Sequence, residues 1–201
     1  MHATLADVIA DLVRNSLEAD ARRVSVELAE GGEAVTVAVA DNGKGMDAAW
    51  REKAFDPFVT EAGKHGRRKV GLGLPFLKQL CETCDGACSL ASKPGVGTTL
   101  SFRLNATHID LPPTGDVAEL ATALFSGPSG FELVFTHRKG GAAYSVARSE
   151  LADAVGGLET AGGLSRALAF LRAQEDALCR RSVPSAQGAS LAREGRGPYW
   201  I

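Results

Sequence analysis

The feature that most constrains the fold is a run of alternating valines that ends in a carboxylate. In AVTVAVA, residues 34–40, Val35, Val37 and Val39 alternate with smaller residues, which predicts a β-strand with one apolar face. Counting on by twos places Asp41 on that same face. A carboxylate on a core face is costly unless it is hydrogen-bonded, so Asp41 requires a donor.

The segment that follows the valines is DNGKGM, residues 41–46, which contains two glycines. Gly43 and Gly45 allow positive φ values or a close approach by a ligand. The alternative is an ordinary turn that ends the strand, because Asp-Asn-Gly is a favourable turn sequence. This stretch on its own leaves both interpretations open.

Patterning over the first half of the chain predicts helices on one face of a sheet. Residues 4–19 carry a helical apolar stripe, with Asp11 and Asn15 on a second, polar stripe. Residues 22–30 alternate as residues 34–40 do, so the two segments are expected to form a hairpin. The order helix, two strands, helix, loop, helix, two strands predicts an α/β fold with an antiparallel or mixed sheet.

A second pair of glycines stands in VGLGL, residues 70–74, directly ahead of an amphipathic helical pattern. Gly71 and Gly73 could present backbone N–H groups to a phosphate at the start of that helix, or could form an ordinary turn. The preceding segment, residues 59–69, is rich in glycine and in cationic residues and has few apolar anchors. It is therefore expected to be a mobile loop.

Three of the four cysteines fall in CETCDGAC, residues 81–88. Thiolates at this spacing can reach one metal ion or an iron–sulfur cluster. The alternative is that Cys81 and Cys84 lie near the end of a helix and Cys88 on the next strand, where cysteine packs as a small apolar residue. Three ligands without an obvious fourth favour packing, and metal binding stays an open alternative.

Beyond Asn105 the residue pattern of the sequence changes. HIDLPPTGD, residues 108–116, is a Pro/Gly connector, and residues 131–149 predict a hairpin that extends a sheet or leaves an edge for another chain. Further helices are predicted, with Ser149 and Ser165 as N-caps. The chain is therefore divided into a main unit, residues 1–104, an α/β extension, residues 105–180, and a tail, residues 181–201, expected to be flexible.

Composition narrows the class of protein. With 45% hydrophobic residues, 23% charged residues and a net charge of −2, the chain shows no sign of a nucleic-acid or membrane partner. Charged residues interrupt the N-terminal segment, so no signal peptide is expected, and no later apolar stretch is long enough to cross a bilayer. A cytoplasmic protein is predicted.

The order of these motifs carries more information than any one of them. Together they resemble the ATP-binding domain of the GHKL superfamily, which includes gyrase, the heat-shock chaperone ATPase, mismatch-repair ATPases, sensor histidine kinases and anti-sigma-factor kinases. FDPFVT and GLGLPFLKQL are most similar to the histidine-kinase branch, whereas NSLEA is more similar to the mismatch-repair branch. The resemblance implies the Bergerat fold, an α/β two-layer sandwich, here in a small bacterial member with a C-terminal α/β extension.

The resemblance also implies roles for individual residues. Asp41 would accept a hydrogen bond from the adenine amino group, with Thr98 holding the same end of the base. Asn15 would offer its side-chain oxygen to Mg²⁺. Gly71 and Gly73 would bind the phosphates through backbone N–H groups. The implied ATP-binding set is Asn15, Asp41, Gly43, Gly45, Met46, Gly71, Leu72, Gly73, Leu74 and Thr98.

Four cations in the loop ahead of Gly71 have two interpretations. They reach the phosphates as part of a lid, or they form a solvated charge run. Aromatic side chains on either side of Asp56 are expected to anchor this lid by packing. The lid cations are Lys64, Arg67, Arg68 and Lys69, and the aromatic anchors are Phe55 and Phe58.

Asp11 is the candidate catalytic residue. In the hydrolysing branches of the resembled superfamily, a glutamate one turn before the asparagine acts as general base. Aspartate is one methylene shorter, and a base must reach its water, so slow hydrolysis is expected. Asp11 could instead orient a water bound to Mg²⁺, or face solvent.

The resemblance to histidine kinases implies a phosphoacceptor that is expected to lie on another protein, since only three residues precede the first helix. As an enzyme, the chain would be a protein kinase that acts on an unidentified protein partner in trans, or a slow ATPase. As a binding module, it would use ATP and Mg²⁺ to switch conformations that the partner recognises. The sequence leaves these functions, and the oligomeric state, open.

Overall fold

The computed structural model describes residues 3–56, 73–127 and 130–182. Within those ranges the chain forms one mixed sheet and a layer of helices. The elements are α1 (Leu5–Glu18), β1 (Arg23–Gly31), β2 (Ala34–Asp41), α2 (Ala48–Lys53), α3 (Gly73–Thr83), β3 (Ala87–Lys93), β4 (Gly97–Asn105), α4 (Val117–Phe125), β5 (Glu132–Lys139), β6 (Ala142–Ala147), α5 (Arg148–Val155) and α6 (Ala161–Ser182).

The sheet has six strands in the order β3-β4-β2-β1-β5-β6. Neighbouring strands are antiparallel except β1 and β5, which are parallel. One face is buried, as Val26, Val37 and Phe102 illustrate, while Ser25 and Arg103 on the opposite face are exposed. The predicted α/β two-layer sandwich with a mixed sheet is confirmed.

Helix α1 begins at Leu5 because Thr4 and Asp7 cap it reciprocally. The Asp7 N–H donates to Thr4 Oγ1 at 3.1 Å, and the Thr4 N–H donates to Asp7 Oδ2 at 3.0 Å. The apolar stripe that predicts this helix is buried, and Leu5 and Ile9 are fully inaccessible to solvent. The stripe fixes which side of α1 faces the sheet, and so fixes where its polar residues lie.

The segment after Asn105 joins the same sheet and the same core. Hairpin β5–β6 adds beside β1, with Val26 opposite Phe135 in the register. Helices α4 and α6 cover it, and Phe125, Phe135 and Leu171 are fully buried. The hairpin therefore extends the sheet of the first half of the chain.

The connector between β4 and α4 is tied to the start of α1. The N–H groups of Leu5 and Ala6 donate to the carbonyls of Pro113 and Thr114, each at 2.9 Å. The first four N–H groups of a helix have no partner inside it, so the connector satisfies two of them. The N-terminus of α1 is therefore bound to a segment that lies about a hundred residues later in the sequence, at Pro113 and Thr114.

The two predicted serine caps are wrong. Helix α5 begins at Arg148, directly after β6, so Ser149 lies inside its first turn. Helix α6 begins at Ala161, before Ser165, and the hydroxyl of Thr160 accepts from the N–H of Gly163 at 3.0 Å. The start of α5 follows from the direct passage from β6 into the helix, with no intervening turn, and the start of α6 follows from the cap at Thr160.

Candidate functional site

Asp41 ends β2 on the core face, as the alternation predicts, and its carboxylate is hydrogen-bonded on both oxygens. Oδ2 accepts from the hydroxyl of Ser16 at 2.7 Å. Oδ1 accepts from the N–H of Gly43 at 2.8 Å and from the N–H of Thr98 at 3.3 Å. A carboxylate has about four lone-pair sites, so with respect to the described residues one site on Oδ2 is available for a further donor.

The partners of Asp41 carry no charge. Ser16 contributes a hydroxyl, and Gly43 and Thr98 contribute backbone N–H groups. Within residues 3–56, 73–127 and 130–182, no cation forms a salt bridge with this carboxylate. Among the residues that the structure describes, the negative charge of Asp41 is therefore held by dipoles and not by a cation.

The glycines after Asp41 fit closely against neighbouring backbone. A Cβ on Gly43 would lie 2.6 Å from the carbonyl oxygen of Ala19, and one on Gly45 would lie 2.0 Å from that of Lys93. Gly45 also has a φ of +66°. The N–H of Lys44 donates to the Ala19 carbonyl at 2.8 Å, so this loop is clamped between the end of α1 and the β3–β4 turn.

Thr98 stands opposite Asp41 in the register of β2 and β4, so the fold brings together two residues that the sequence analysis assigned to one end of the base. The hydroxyl of Thr98 is 2.9 Å from that of Ser92, which also accepts from the Met46 N–H at 2.8 Å. The backbone at Gly97 lies directly against the backbone of Asp41, because a Cβ on Gly97 would lie 1.9 Å from the Asp41 carbonyl oxygen.

Sequence reasoning missed Ser16 and Ser92. Ser16 is only 4% exposed on an otherwise apolar stripe, and that mismatch is a signal that could have identified it. Ser92 offers no such signal, since it is one of several small polar residues on β3 and bonds to Met46 across 46 positions of sequence. Its role depends on tertiary structure.

Asn15 lies in the last turns of α1 and is exposed. A Cβ on Gly73, the first residue of α3, would lie 3.7 Å from Asn15 Nδ2, so the asparagine side chain stands beside the start of that helix. An amide oxygen suits Mg²⁺, and a helix N-terminus suits phosphate. The amide oxygen of Asn15 and the backbone N–H groups at the start of α3 therefore fit a phosphate chain with its metal ion.

Asp11 is one helical turn before Asn15 on α1. Its Oδ1 forms a salt bridge with Arg14 at 2.6 Å, and its side chain is 32% exposed. This ion pair is near the surface, where such pairs are worth little energy but still orient the carboxylate. Asp11 therefore has a cationic neighbour on its own helix.

Several residues proposed from sequence lie outside the described ranges. Among those inside them, Phe55 and Leu74 pack partly buried against the core, and Met46 is half-buried. The residues outside are Phe58, Lys64, Arg67, Arg68, Lys69, Gly71 and Leu72.

The three clustered cysteines lie in the last turn of α3, just after it, and on β3. Cys81 and Cys84 are buried and Cys88 is half-buried on β3, all as free thiols. Burial, with Cys88 adjacent, raises the pKa of Cys81 to about 12, and burial also raises the pKa of Cys84. In the described part of the chain, no three His, Cys, Asp or Glu side chains are arranged to hold a metal ion, which favours the packing interpretation.

None of the described helices combines the length and the apolar content needed to cross a bilayer.

Comparison with known proteins gives a match over the half of the chain that contains this site. Residues 2–108 match the family model described as "Histidine kinase-, DNA gyrase B-, and HSP90-like ATPase". Sensor protein IrlS of Burkholderia pseudomallei is 31% identical over 102 residues, which cover 49% of this chain and 22% of that protein. Sensor histidine kinase AruS of Pseudomonas aeruginosa is 32% identical over 133 residues, 60% of this chain and 13% of that protein. The chain thus spans less than a quarter of these relatives.

A solved structure resembles more of the chain. The N-terminal domain of a DNA repair protein superposes with a TM-score of 0.51, and the match covers 81% of this chain and 59% of that one. Identity is 16%, so the likeness concerns the fold alone.

Proposed function

The chain belongs to the family of histidine kinase-, DNA gyrase B- and HSP90-like ATPases, and from this premise we propose that it binds ATP with Mg²⁺ in order to phosphorylate, or conformationally regulate, a protein partner in trans. Its curated relatives are sensor proteins of the histidine-kinase branch. The proposal includes a cytoplasmic location, where ATP is available.

The observation that carries the proposal is the geometry of Asp41. Three donors in the described part of the chain hold the carboxylate in place and leave a lone pair on Oδ2 for a further donor. An adenine amino group is a neutral donor of the right kind, and a carboxylate acceptor gives it a charge-assisted bond. Thr98 and Ser92 add hydroxyl groups beside the same carboxylate.

Metal binding follows from the other end of the proposed site. Asn15 would hold Mg²⁺ through its amide oxygen, while the metal keeps several waters and the phosphate oxygens as its remaining ligands. When bound, Mg²⁺ neutralises phosphate charge. The start of α3, beside Asn15, would receive the phosphate chain on its backbone N–H groups.

The output we propose depends on a partner because Asp11 is poorly suited to hydrolysis alone. Its carboxylate is short and is paired with Arg14. A general base must come within hydrogen-bond reach of its water, and a side chain one methylene shorter than glutamate that also bonds to Arg14 is poorly placed for this, so the γ-phosphate would persist until a partner engages. A slow ATPase, or a binding switch without phosphotransfer, is the competing output.

Calorimetry tests the binding step. ATP titrated into the purified chain should bind with Mg²⁺ present, and Asn15→Ala should lose the magnesium dependence while retaining adenine recognition. Absence of binding at millimolar nucleotide would contradict the proposal.

A single-turnover experiment with γ-labelled ATP tests the output. Label transferred to an added protein supports phosphotransfer, whereas label released only as slow phosphate supports the switch. A fast wild type that Asp11→Asn silences would show that the chain is a self-sufficient ATPase, contrary to the proposal.

A further inference from the structure

A second polar site lies at the opposite end of β1 from Asp41. A cavity of about 530 Å³ opens where β1 and β5, the parallel pair, both end. Crevices in α/β sheets form at the carboxyl ends of parallel strands. Its walls come from these two strands, the connector, the start of α4 and α6. The residues central to it are Glu30, Thr114, His137, Lys139 and Glu175.

His137 is the buried centre of this site. It is 1% exposed, and its Nδ1 is 2.9 Å from Glu175 Oε1 on α6. Nε2 faces Glu30 Oε2 of β1 at 3.7 Å, close enough for an ion pair but too far for a hydrogen bond. Nε2 is the one buried side-chain polar atom in the described residues that has no hydrogen-bond partner.

The two carboxylates connect His137 to separate parts of the chain. Glu30 accepts from the hydroxyl of Thr114 in the connector at 2.5 Å and forms a salt bridge with Lys139 at 2.6 Å. Glu175 also accepts from the hydroxyl of Tyr144 on β6. Through these bonds one imidazole joins β1 and the connector to β5, β6 and α6.

Charge in this site depends on the proton of His137. Burial opposes the charged imidazole, but Glu175 and Glu30 outweigh burial and raise the pKa of His137 above its ordinary value of 6.5. In return His137, followed by Lys139 and Thr114, lowers the pKa of Glu30 from 4.5 to about 2 against the effect of burial. Protonated, His137 is a cation between two anions.

We propose that His137 is a proton-operated latch that fastens the connector and α6 to β1 when it is protonated and loosens them when it is not. The neutral imidazole can keep its Nδ1–H for Glu175, because a carboxylate only accepts, but it then offers Glu30 no charge. The contact that weakens is the one between His137 and Glu30, the residue to which Thr114 is hydrogen-bonded. Thr114 is the residue whose carbonyl binds the start of α1.

The sign of the pH dependence follows from the two shifts. A raised histidine pKa gives stability that is full below 6.5 and is lost as the pH rises through the folded value. A lowered glutamate pKa gives stability that is full above 4.5 and is lost as the pH falls toward about 2. The latch is therefore tightest between pH 4.5 and 6.5.

The remaining charged groups around the cavity belong to residue types whose ordinary pKa lies well away from neutrality. Lys139 has its pKa raised by Glu30, and Tyr144 has its pKa raised by burial and by Glu175. Asp116 at the start of α4 stands 3.6 Å from Arg172 of α6, which also pairs with Glu119. Asp176 is the last ionisable group on the wall. His137 is thus the group in this cavity whose ordinary pKa is near neutrality.

The amide protons of Leu5 and Ala6 report directly on the latch. They have no intrahelical partner and are bonded to Pro113 and Thr114, so only the docked connector protects them from exchange. The test uses NMR on the nucleotide-free chain, and its result is therefore independent of nucleotide binding. His137 ring signals, assigned by their loss in His137→Gln, should titrate above 6.5.

We expect the protection factors of Leu5 and Ala6 to fall as the pH rises above neutrality, by up to about tenfold for each unit by which the His137 pKa exceeds its ordinary value. His137→Gln should remove this dependence. His108→Gln, at a histidine that also has two aspartates nearby but is outside the cavity, should retain it. The Val13 amide, bonded inside α1, serves as an internal reference.

Three results would overturn the latch. The first is a His137 that titrates at or below 6.5. The second is amide protection of Leu5 and Ala6 that does not change with pH in the wild type. The third is a pH-dependent loss of that protection in His137→Gln equal to the loss in the wild type. The pH dependence of Leu5 and Ala6 protection in the wild type decides even if His137→Gln fails to fold. Glu175→Gln is a second test, because it keeps the histidine but removes the negative charge beside Nδ1 and should lower the His137 pKa.

Discussion

A carboxylate stands at each end of β1, Asp41 of β2 at one end and Glu30 at the other, and the two are stabilised in different ways. Val24 pairs with Asp41 at one end, and Glu30 pairs with Val35 at the other, so the two sites are separated by about 20 Å along the strand. Asp41 is held by a hydroxyl and two N–H groups. Glu30 and Glu175 are held by a histidine and Lys139, which are cationic or can become so.

The difference indicates what each end is suited to do. A carboxylate whose charge is left in place, with a spare lone pair, can bind a donor that arrives from outside. A carboxylate neutralised by cations of the same chain has little attraction left for a ligand. It does fix which elements are joined, because removing one member of the pair leaves a buried charge. The Asp41 end is therefore suited to binding a ligand, and the Glu30 end is suited to joining elements of the fold.

The largest effect should come from Gly97, where the Asp41 end is held by close backbone contact. Gly97 has a φ of +130°, and a Cβ would lie 1.9 Å from the Asp41 carbonyl oxygen. Backbone strain and overpacking together predict that Gly97→Ala lowers the free energy of unfolding by about 2–6 kcal/mol. Urea denaturation measures this change.

Gly95→Ala is the matched control for that substitution. Gly95, in the turn directly before β4, has a φ of +71° but nothing within 4 Å of its Cβ position. Only the left-handed backbone is penalised, so we expect a loss of about 1–2 kcal/mol. Equal losses at the two glycines would mean that contact with the Asp41 backbone does not matter.

The next effect should come from the charge of Asp41. Asp41→Asn replaces an acceptor with an amide that can turn a donor toward the hydroxyl of Ser16 or toward a bound adenine. Loss of a charge-assisted hydrogen bond costs about 1.5–3 kcal/mol, or roughly ten- to a hundredfold in ATP affinity. Calorimetry checks it, with Asp110→Asn in the exposed connector as the control expected to change nothing. Unchanged affinity in Asp41→Asn would mean that the base is bound elsewhere.

Removal of one donor to Asp41 should have a smaller effect. Ser16→Ala takes away the bond to Oδ2 but leaves both N–H groups on Oδ1, and we expect a loss of about 0.5–1.5 kcal/mol in the free energy of unfolding. Ser89→Ala is the control, since Ser89 bonds to Ser101 on the exposed face of the sheet at 2.8 Å. Thermal denaturation of both variants would reveal a difference, and equal stability would assign Ser16 no part in holding the carboxylate.

The smallest effect should come from the middle of β1. Glu27 forms a salt bridge with Arg138 at 2.5 Å, but the two side chains are 49% and 56% exposed. Exposed pairs contribute less than about 1 kcal/mol, so Glu27→Gln should change the free energy of unfolding by no more than that. The change should shrink at high salt, because screening already weakens the pair. A larger loss would show that the two ends of β1 are not its only sites of polar stabilisation.

Much of the Asp41 end could be predicted because its pattern is local. The alternation from Val35 to Val39 is enough to place Asp41 on the buried face, and the order of glycine motifs is enough to indicate the family. The proposed roles of Asn15 and Thr98 in binding ATP stay predictions, although the fold brings Thr98 beside Asp41 and Asn15 beside α3.

The Glu30 end could not be predicted because its partners are far apart in sequence. His137 and Glu175 are separated by 38 residues, and Thr114 and Glu30 by 84. No periodicity relates such positions, since each is one polar residue on an element whose pattern is set by other residues. The pairing of β1 with β5, which brings them together, is a parallel contact between halves of the chain and has no turn to signal it.

The parallel pairing of β1 with β5 also bears on where this chain can be cut. The family match ends at residue 108, but a fragment ending there would lose β5 and turn β1 into a sheet edge. A free edge is a row of unpaired N–H and C=O groups that invites pairing with another copy of the chain. The loss of Phe135 and Leu133 would also strip apolar cover from Val24 and Val26. Such a fragment should therefore aggregate. To express the nucleotide-binding half in folded form, β5 must be kept, so the chain should extend through at least Lys139.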